Sequence, residues 1–320
     1  MPSGLLTTLD LVKGEMAEGL IEETFTLFPE ISGRTRINGQ WLQIPNVGAA
    51  RGIDGVTYPT LVTVEDPVVS FVDVNEGSTP TKMRQEERPT SCFNLNPNWG
   101  VGLVAAKRAK EPIDVIMAKQ ALPHMRAGWR QMAKCFYYGR NATFGDAKGF
   151  PGLLAGYDST NMVVDAGGTT NNVASSAWLV AWGPEYLNWV WGNDVQMDVS
   201  DIDLREATDS NGNPFTKYHQ ELVALPGLEF LSAQHVVRIK KLTTDSGKGL
   251  TDDLVASALE KFPANVFPDV MFCTRRSLGQ LQRSRTATNP TGQPAPIPTE
   301  SHNVPIAVTD SIVNTETLAL

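Results

Sequence analysis

Between Pro112 and Gly139 the chain reads PIDVIMAKQALPHMRAGWRQMAKCFYYG, and the apolar positions Val115, Ala118, Leu122, Met125, Trp129, Met132 and Phe136 recur three and four residues apart. That period lays one apolar stripe along an α-helix. Pro112 suits a first helical turn and Gly139 a stop. At 1.5 Å per residue such a helix is roughly 40 Å long, enough to cross a whole molecule. Pro123 falls inside it. An interior proline removes one backbone hydrogen bond and costs about 3 kcal/mol, so the pattern predicts a kink near residues 118–122 within one helix, not two separate helices.

Upstream, Leu5, Leu9, Val12, Met16, Leu20, Phe25 and Phe28 stand at loosely helical spacing with Glu18, Glu22 and Glu23 between them. This predicts an amphipathic arm, helical in part, that ends before Pro29. From Arg34 the pattern changes to alternation in TRINGQWLQIP, where Asn38-Gly39 signals a tight turn between strands. Val47 to Pro89 is rich in turn formers and charges, with extended segments expected at Leu61 to Val64 and Val68 to Val74. Its apolar content is too low for a core, so it predicts a long projecting β-hairpin that is stable only when something else covers it. Ser91 to Leu103 reads as a returning strand leading into the long helix.

Downstream, GFPGLLAGYD reads as a tight loop, MVVDAGG as a short strand and turn, and AWLVAWGPEYLNWVW (177–191) as a hairpin broken at Gly183-Pro184. TKYHQELVALPGLEFL and HVVRIKKL add strands. An α/β unit follows: LTDDLVASALEKF is a helix with Thr251 as N-cap and Asp252 and Asp253 in its first turn, DVMFCT is a buried strand, and RRSLGQLQRSR is a basic amphipathic helix. Residues 287–303 form a Pro-, Thr- and Asn-rich loop, and VPIAVTDSIVNTETLAL closes the chain as a strand plus tail.

Composition narrows the function. The 320 residues, 41% hydrophobic and 19% charged, fit a folded chain with a large core. A formal charge of −8 argues against a dedicated nucleic-acid binder. Cys92, Cys135 and Cys273 are odd in number and far apart, which fits neither a disulfide framework nor a zinc site and suits a reducing compartment. No apolar run approaches a membrane span, and the N-terminus lacks the basic and apolar regions of a signal peptide. The four histidines lack catalytic or metal-ligand spacing, and no nucleophile elbow occurs. Ser246 to Gly249 departs from a phosphate loop at Leu242, and the stretch from Asp209 departs from a calcium loop at Pro214 and Gln220. The best enzymatic candidate is the acidic run Asp194, Asp198, Asp201, Asp203, Glu206 and Asp209 beside Trp182, Trp189 and Trp191, since a carbohydrate enzyme needs paired carboxylates and stacking aromatics.

The order of parts carries a resemblance. An N-terminal arm, TRINGQWLQIP leading into VVSFVDVNEGST, the return RPTSCFNLN, a long helix ending in CFYYG, then GFPGLL, PDVMFCTRRSLGQLQ and NVPIAVTDSIVNTE are together similar to the major capsid proteins of tailed bacteriophages. The resemblance implies an α+β fold with an N-arm (1–33), a P-domain strand (34–45), an extended E-loop (46–90), and a P-domain (91–158) carrying a spine helix at 112–138. After these come a β-rich segment shared by the P- and A-domains (159–250), an A-domain α/β unit (251–303), and a closing strand and tail (304–320). The strands in WLVAWG and HVVRIKKL precede LTDDLVASALEKF instead of following the α/β unit, so the chain is closest to a rearranged subgroup. The implied function is to assemble pentamers and hexamers into an icosahedral shell around double-stranded DNA in the bacterial cytoplasm; the alternatives are another virion component, such as a tail or decoration protein, and the carbohydrate enzyme above. Portal protein, and scaffolding and decoration proteins, are the implied partners, with no membrane, cofactor, metal or catalytic group. The implied inter-subunit or interior-face residues are Arg51, Asp54, Glu76, Lys82, Arg84, Glu86 and Arg88 in the hairpin, and Lys119, Arg126, Arg130 and Lys134 on the polar face of the long helix.

Overall fold

The computed structural model describes residues 24–37, 40–43, 51–53, 55, 57–65, 69–74, 76–77, 84–157, 161–183, 186–192, 197–232, 234–289 and 293–320. The expected arm lies almost wholly outside these residues, as do Asn38-Gly39, Asp54 and Lys82.

The centre is a six-stranded sheet in the order Glu300–Ser301, Val304–Val308, Val270–Cys273, Ser175–Val180, Val236–Leu242, Val163–Asp165. The strand pairs Val270–Cys273 with Val304–Val308, and Val236–Leu242 with Val163–Asp165, are parallel, and the other pairings are antiparallel. Because side chains alternate across a strand, each strand feeds two cores. Trp178, Val180, Val236, Val270, Phe272 and Ala307 pack with the long helix Ile113–Tyr138. Ala177, Leu179, Val237, Ile239, Met271, Cys273 and Ile306 pack on the other face with Val255 and Ala258 of helix Asp252–Leu259 and Leu278 and Leu281 of helix Arg275–Thr288. The result is a sheet with helices on both faces, drawing together strands from 163 to 308 across the boundaries expected at 250 and 303. Thr251 caps the first of these helices by accepting the Leu254 N–H at 3.3 Å, as its sequence predicts.

The long helix runs unbroken through Pro123, which is exposed. Its buried line differs from the expected stripe. Val115, Ala118 and Leu122 are only half-buried, whereas Met117, Ala121, Met125, Trp129, Ala133 and Tyr137 are all buried and stand four residues apart throughout. Such an i+4 row winds obliquely about the helix, which suits a helix lying at an angle to the elements it covers. From Cys135 to Gly139 every residue is buried, so the amphipathic pattern ends there.

Two further sheets flank the centre. Leu187–Gly192 pairs antiparallel with Pro226–Phe230 and parallel with Arg51–Ile53. Pro214–Val223 pairs with Asp203–Thr208, Asp198–Val199 and Asn98–Gly102. Residues 177–191 are therefore not a hairpin. Both strands are buried along their whole length, and each sits between neighbours in its own sheet, with a turn closed by Tyr186 N–H to the Gly183 carbonyl at 3.1 Å. A strand buried on both faces belongs inside a sheet, not in a half-exposed ribbon. Smaller corrections follow the same logic of local packing. Leu153–Tyr157 is a short helix, not only a loop, and the helix Arg275–Thr288 extends into the expected 287–303 loop, where Thr286 Oγ1 donates back to the Gln282 carbonyl.

Candidate assembly surfaces

The projecting hairpin pairs Thr57–Glu65 with Arg84–Ser91, from Thr57 opposite Ser91 to Glu65 opposite Arg84, with a shift between Thr63 and Glu65. The strand that returns is thus 84–91, ahead of the expected 91–103, and it, not the extended segment expected at Val68 to Val74, pairs with Thr57–Glu65. The span 91–103 is not one strand either: after Ser91 the chain is irregular until Asn98–Gly102, and Leu103 opens a helix. Both feet of the hairpin are tied down. Arg51–Ile53 lies along Leu187–Gly192, and Phe93 and Leu95 donate to the carbonyls of Pro226 at 2.9 Å and Ala224 at 2.8 Å. Above the feet, among the described residues, the two strands pair only with each other.

Val69 to Val74, between the two strands, is irregular, and Val69, Phe71, Val72 and Val74 are exposed, Phe71 fully. These four are the candidate contact residues that sequence reading misses. An apolar run such as VVSFVDV normally signals a buried strand; its lodging inside a charged, turn-rich stretch is the signal that could have found it.

The other sequence-selected residues scatter. Arg51 pairs by backbone opposite Val190; Arg84, Glu86 and Arg88 take alternate positions of the return strand opposite Glu65, Val62 and Thr60. Glu76 is exposed near the tip. On the helix, Lys119 binds Glu111 at 2.8 Å in a solvated pair, which contributes little. Arg126 is half-buried and its Nε has no hydrogen-bond partner among the described residues, Arg130 is exposed, and Lys134 is half-buried. The basic face is therefore uneven, and Arg130 is its most accessible charge away from Lys119.

Buried polar groups pin both ends of the described chain to the long helix. The Trp129 indole N–H donates to Thr24 Oγ1 at 2.9 Å, and that of Trp189 to the Glu30 carbonyl at 3.0 Å. At the other end Glu316 accepts from Tyr138 Oη at 2.6 Å and Ser176 Oγ at 2.7 Å and pairs with Arg238 at 3.4 Å, all in the interior. Arg238 also lies over the Trp178 ring and donates to the Leu320 carbonyl at 3.0 Å. Burial pushes the Cys92 and Cys135 thiols up to about 11 and that of Cys273 to about 12, which leaves all three free cysteines unreactive.

The enzymatic candidate does not assemble. Trp182, Trp189 and Trp191 are core residues, so none can stack a sugar, while Asp203 and Asp209 lie on an exposed hairpin. Asp209 there caps the turn by accepting the Asn211 and Asn213 N–H groups. Ser246 to Gly249 is likewise a turn, closed by the Lys248 N–H on the Asp245 carbonyl at 3.1 Å. Among the described residues no cluster of His, Cys, Asp and Glu could hold a metal, and no helix is long and apolar enough to cross a membrane.

A known structure shares this fold. The chain is similar to one from bacteriophage Epsilon15, with 17% identity, a TM-score of 0.60, and coverage of 89% of this chain and 92% of that one. Weaker likenesses reach the capsid of the Myoviridae phage XM1, with 11% identity, a TM-score of 0.39 and coverage of 63% and 89%, and a chain of Mycobacterium phage Adephagia, with 10% identity, 0.41 and coverage of 61% and 88%. Comparison with curated proteins finds no match. The model of the family described as "Major capsid protein GP7" matches residues 48–319, from the foot of the hairpin to the Glu316 network, and the chain belongs to that family of shell-forming phage capsid proteins.

Proposed function

We propose that this capsid subunit holds its shell together through the hairpin at 46–90, whose apolar tip seats on a neighbouring copy within pentamers and hexamers. The single observation that carries this reading is the exposure of Val69, Phe71, Val72 and Val74 at the end of a ribbon whose two strands, among the described residues, pair with no other strand. A solvated apolar cluster of that kind is costly in a lone subunit and is relieved when a second surface covers it. The role is structural, with no catalytic step. In this reading Arg126, Arg130 and Lys134 face either the enclosed double-stranded DNA or an adjoining subunit, and assembly takes place in the host cytoplasm around a portal, with scaffolding and decoration proteins as further partners.

Deletion of residues 50–88 tests the reading. The deletion removes one strand of the Leu187–Gly192 sheet and the ribbon, but leaves the six-stranded sheet and its two cores whole. The expected product is a folded, soluble subunit that forms no shells on electron micrographs. Closed shells of normal size from that variant would end the proposal.

A further inference from the structure

The long helix, the strand Arg34–Ile37 and the helix Arg275–Thr288 meet around a cavity of about 320 Å³ close to the described start of the chain. Arg34, Arg130 and Arg275 all line it, although 96 and 145 residues separate them along the sequence. Among the described residues none of the three guanidinium groups has an ion-pair or hydrogen-bond partner; Arg34 bonds only through its backbone N–H, which donates to Ser32 Oγ at 3.3 Å. Among the described residues Asp310 is the one carboxylate in the wall, so three fixed positive charges stand against a single negative one. Thr35, also in the wall, is 3% exposed, and its hydroxyl has no hydrogen-bond partner among the described residues. Leu27 and Val308 supply an apolar side, which lowers the local polarity and strengthens charge–charge attraction.

Arg130 and Arg275 are exposed, so solvent screens their repulsion. Three cations still face one carboxylate and the buried Thr35 hydroxyl lacks a partner, which leaves room at this corner for an anion that accepts from all four. A tetrahedral oxyanion completes it. Guanidinium groups bind phosphate oxygens in paired hydrogen bonds, three of them can share one dianion, and a threonine hydroxyl can donate to a remaining oxygen. The geometry points to a phosphate-binding site formed by Arg34, Arg130, Arg275 and Thr35. The phosphate is either free in solution or part of a nucleic-acid backbone. A carboxylate ligand is disfavoured because it carries one charge where the site presents a surplus of two. The site stands apart from the hairpin and does not depend on it.

Titration of the purified full-length chain with inorganic phosphate at low salt, followed by ³¹P NMR, tests the assignment. The expected result is saturable binding in the millimolar range or tighter, weakened about tenfold or more by Arg275→Gln and by Arg34→Gln, and largely retained in Arg275→Lys. Arg275 is exposed, so its replacement leaves the core alone, and an unchanged thermal midpoint checks that. A short DNA duplex forms the second arm. Duplex binding that inorganic phosphate displaces and Arg275→Gln weakens identifies the backbone as the source, whereas phosphate binding without duplex binding identifies the free anion. Binding of phosphate unaffected by both glutamine substitutions would overturn the proposal. So would displacement of phosphate by a peptide of residues 15–23, whose glutamates would then be the ligand.

Discussion

Glu30 is fully buried, and its Oε1 accepts from Thr309 Oγ1 at 3.1 Å. Burial is the main influence on its carboxyl and lifts it from 4.5 to about 7; hydrogen bonds from Ser311 and Thr309 pull the other way and lose. Between those two values the folded chain keeps a proton that the unfolded chain has released. Stability is therefore highest below pH 4.5 and falls as pH rises through 7, by an amount on the order of 3 kcal/mol. His235, stacked 3.8 Å from Tyr186, acts in the opposite sense: burial pushes it down from 6.5 to about 4, so its contribution is lost as pH falls through that window. The two act in opposite directions over overlapping pH ranges in the wild-type profile. Comparison with Glu30→Gln separates them, because His235 is common to both chains. The variant is expected to melt several degrees above the wild type at pH 8, with the gap closing by pH 4.5. A gap independent of pH would mean that Glu30 is not the titrating group. The Arg238–Glu316 pair shows the alternative solution to the same problem, in which a buried carboxylate keeps a cation and two hydroxyl donors at hand.

At the scale of elements, the long helix shows what periodicity conveys and what it leaves out. Its existence and limits follow from the 3.6-residue pattern, from Pro112 and from Gly139. Its buried row does not, because the row Met117 to Tyr137 follows the angle at which the helix lies on its neighbours, and that angle belongs to the packing. The same holds for Leu187–Gly192, whose apolar run marks it as buried but cannot tell which sheet it enters. Gly128 is the place where helix and packing conflict most directly. Alanine there would add about 1 kcal/mol of helix propensity, yet its Cβ would stand 2.8 Å from Pro97 Cγ. The proline ring cannot bend away, and its carbonyl is held by the Leu222 N–H at 3.0 Å, so overpacking at about 1–3 kcal/mol outweighs the gain. Gly128→Ala is thus expected to lower stability in urea unfolding, while Ala127→Gly on the exposed side costs only the propensity. A Gly128→Ala chain more stable than the wild type would show that the 93–97 loop yields.

For the whole molecule, the sequence order of arm, hairpin, spine helix and α/β unit was enough to suggest the architecture, because each part has its own local signature. The apolar tip was harder to read, since an apolar run predicts burial, and in the proposed assembly its covering surface belongs to a neighbouring copy that a single chain does not contain. The tip also separates folding from assembly. Val69, Phe71, Val72 and Val74 belong to none of the described hydrophobic clusters, so polar replacements should leave the fold's stability unchanged. Burying a phenylalanine or valine contributes about 1.5–3 kcal/mol, and a closed shell repeats that contact at every copy. Phe71→Ser with Val74→Ser should therefore weaken each link by about 3 kcal/mol or more, roughly a hundredfold in each contact equilibrium. The expected outcome is a subunit with the wild-type melting midpoint that sediments as unassembled protein under conditions where the wild type forms shells. A lowered midpoint would place the tip inside its own subunit's fold, and normal shell yield would remove it from the interface; either result contradicts the reading, and the two failures are told apart by the same pair of measurements.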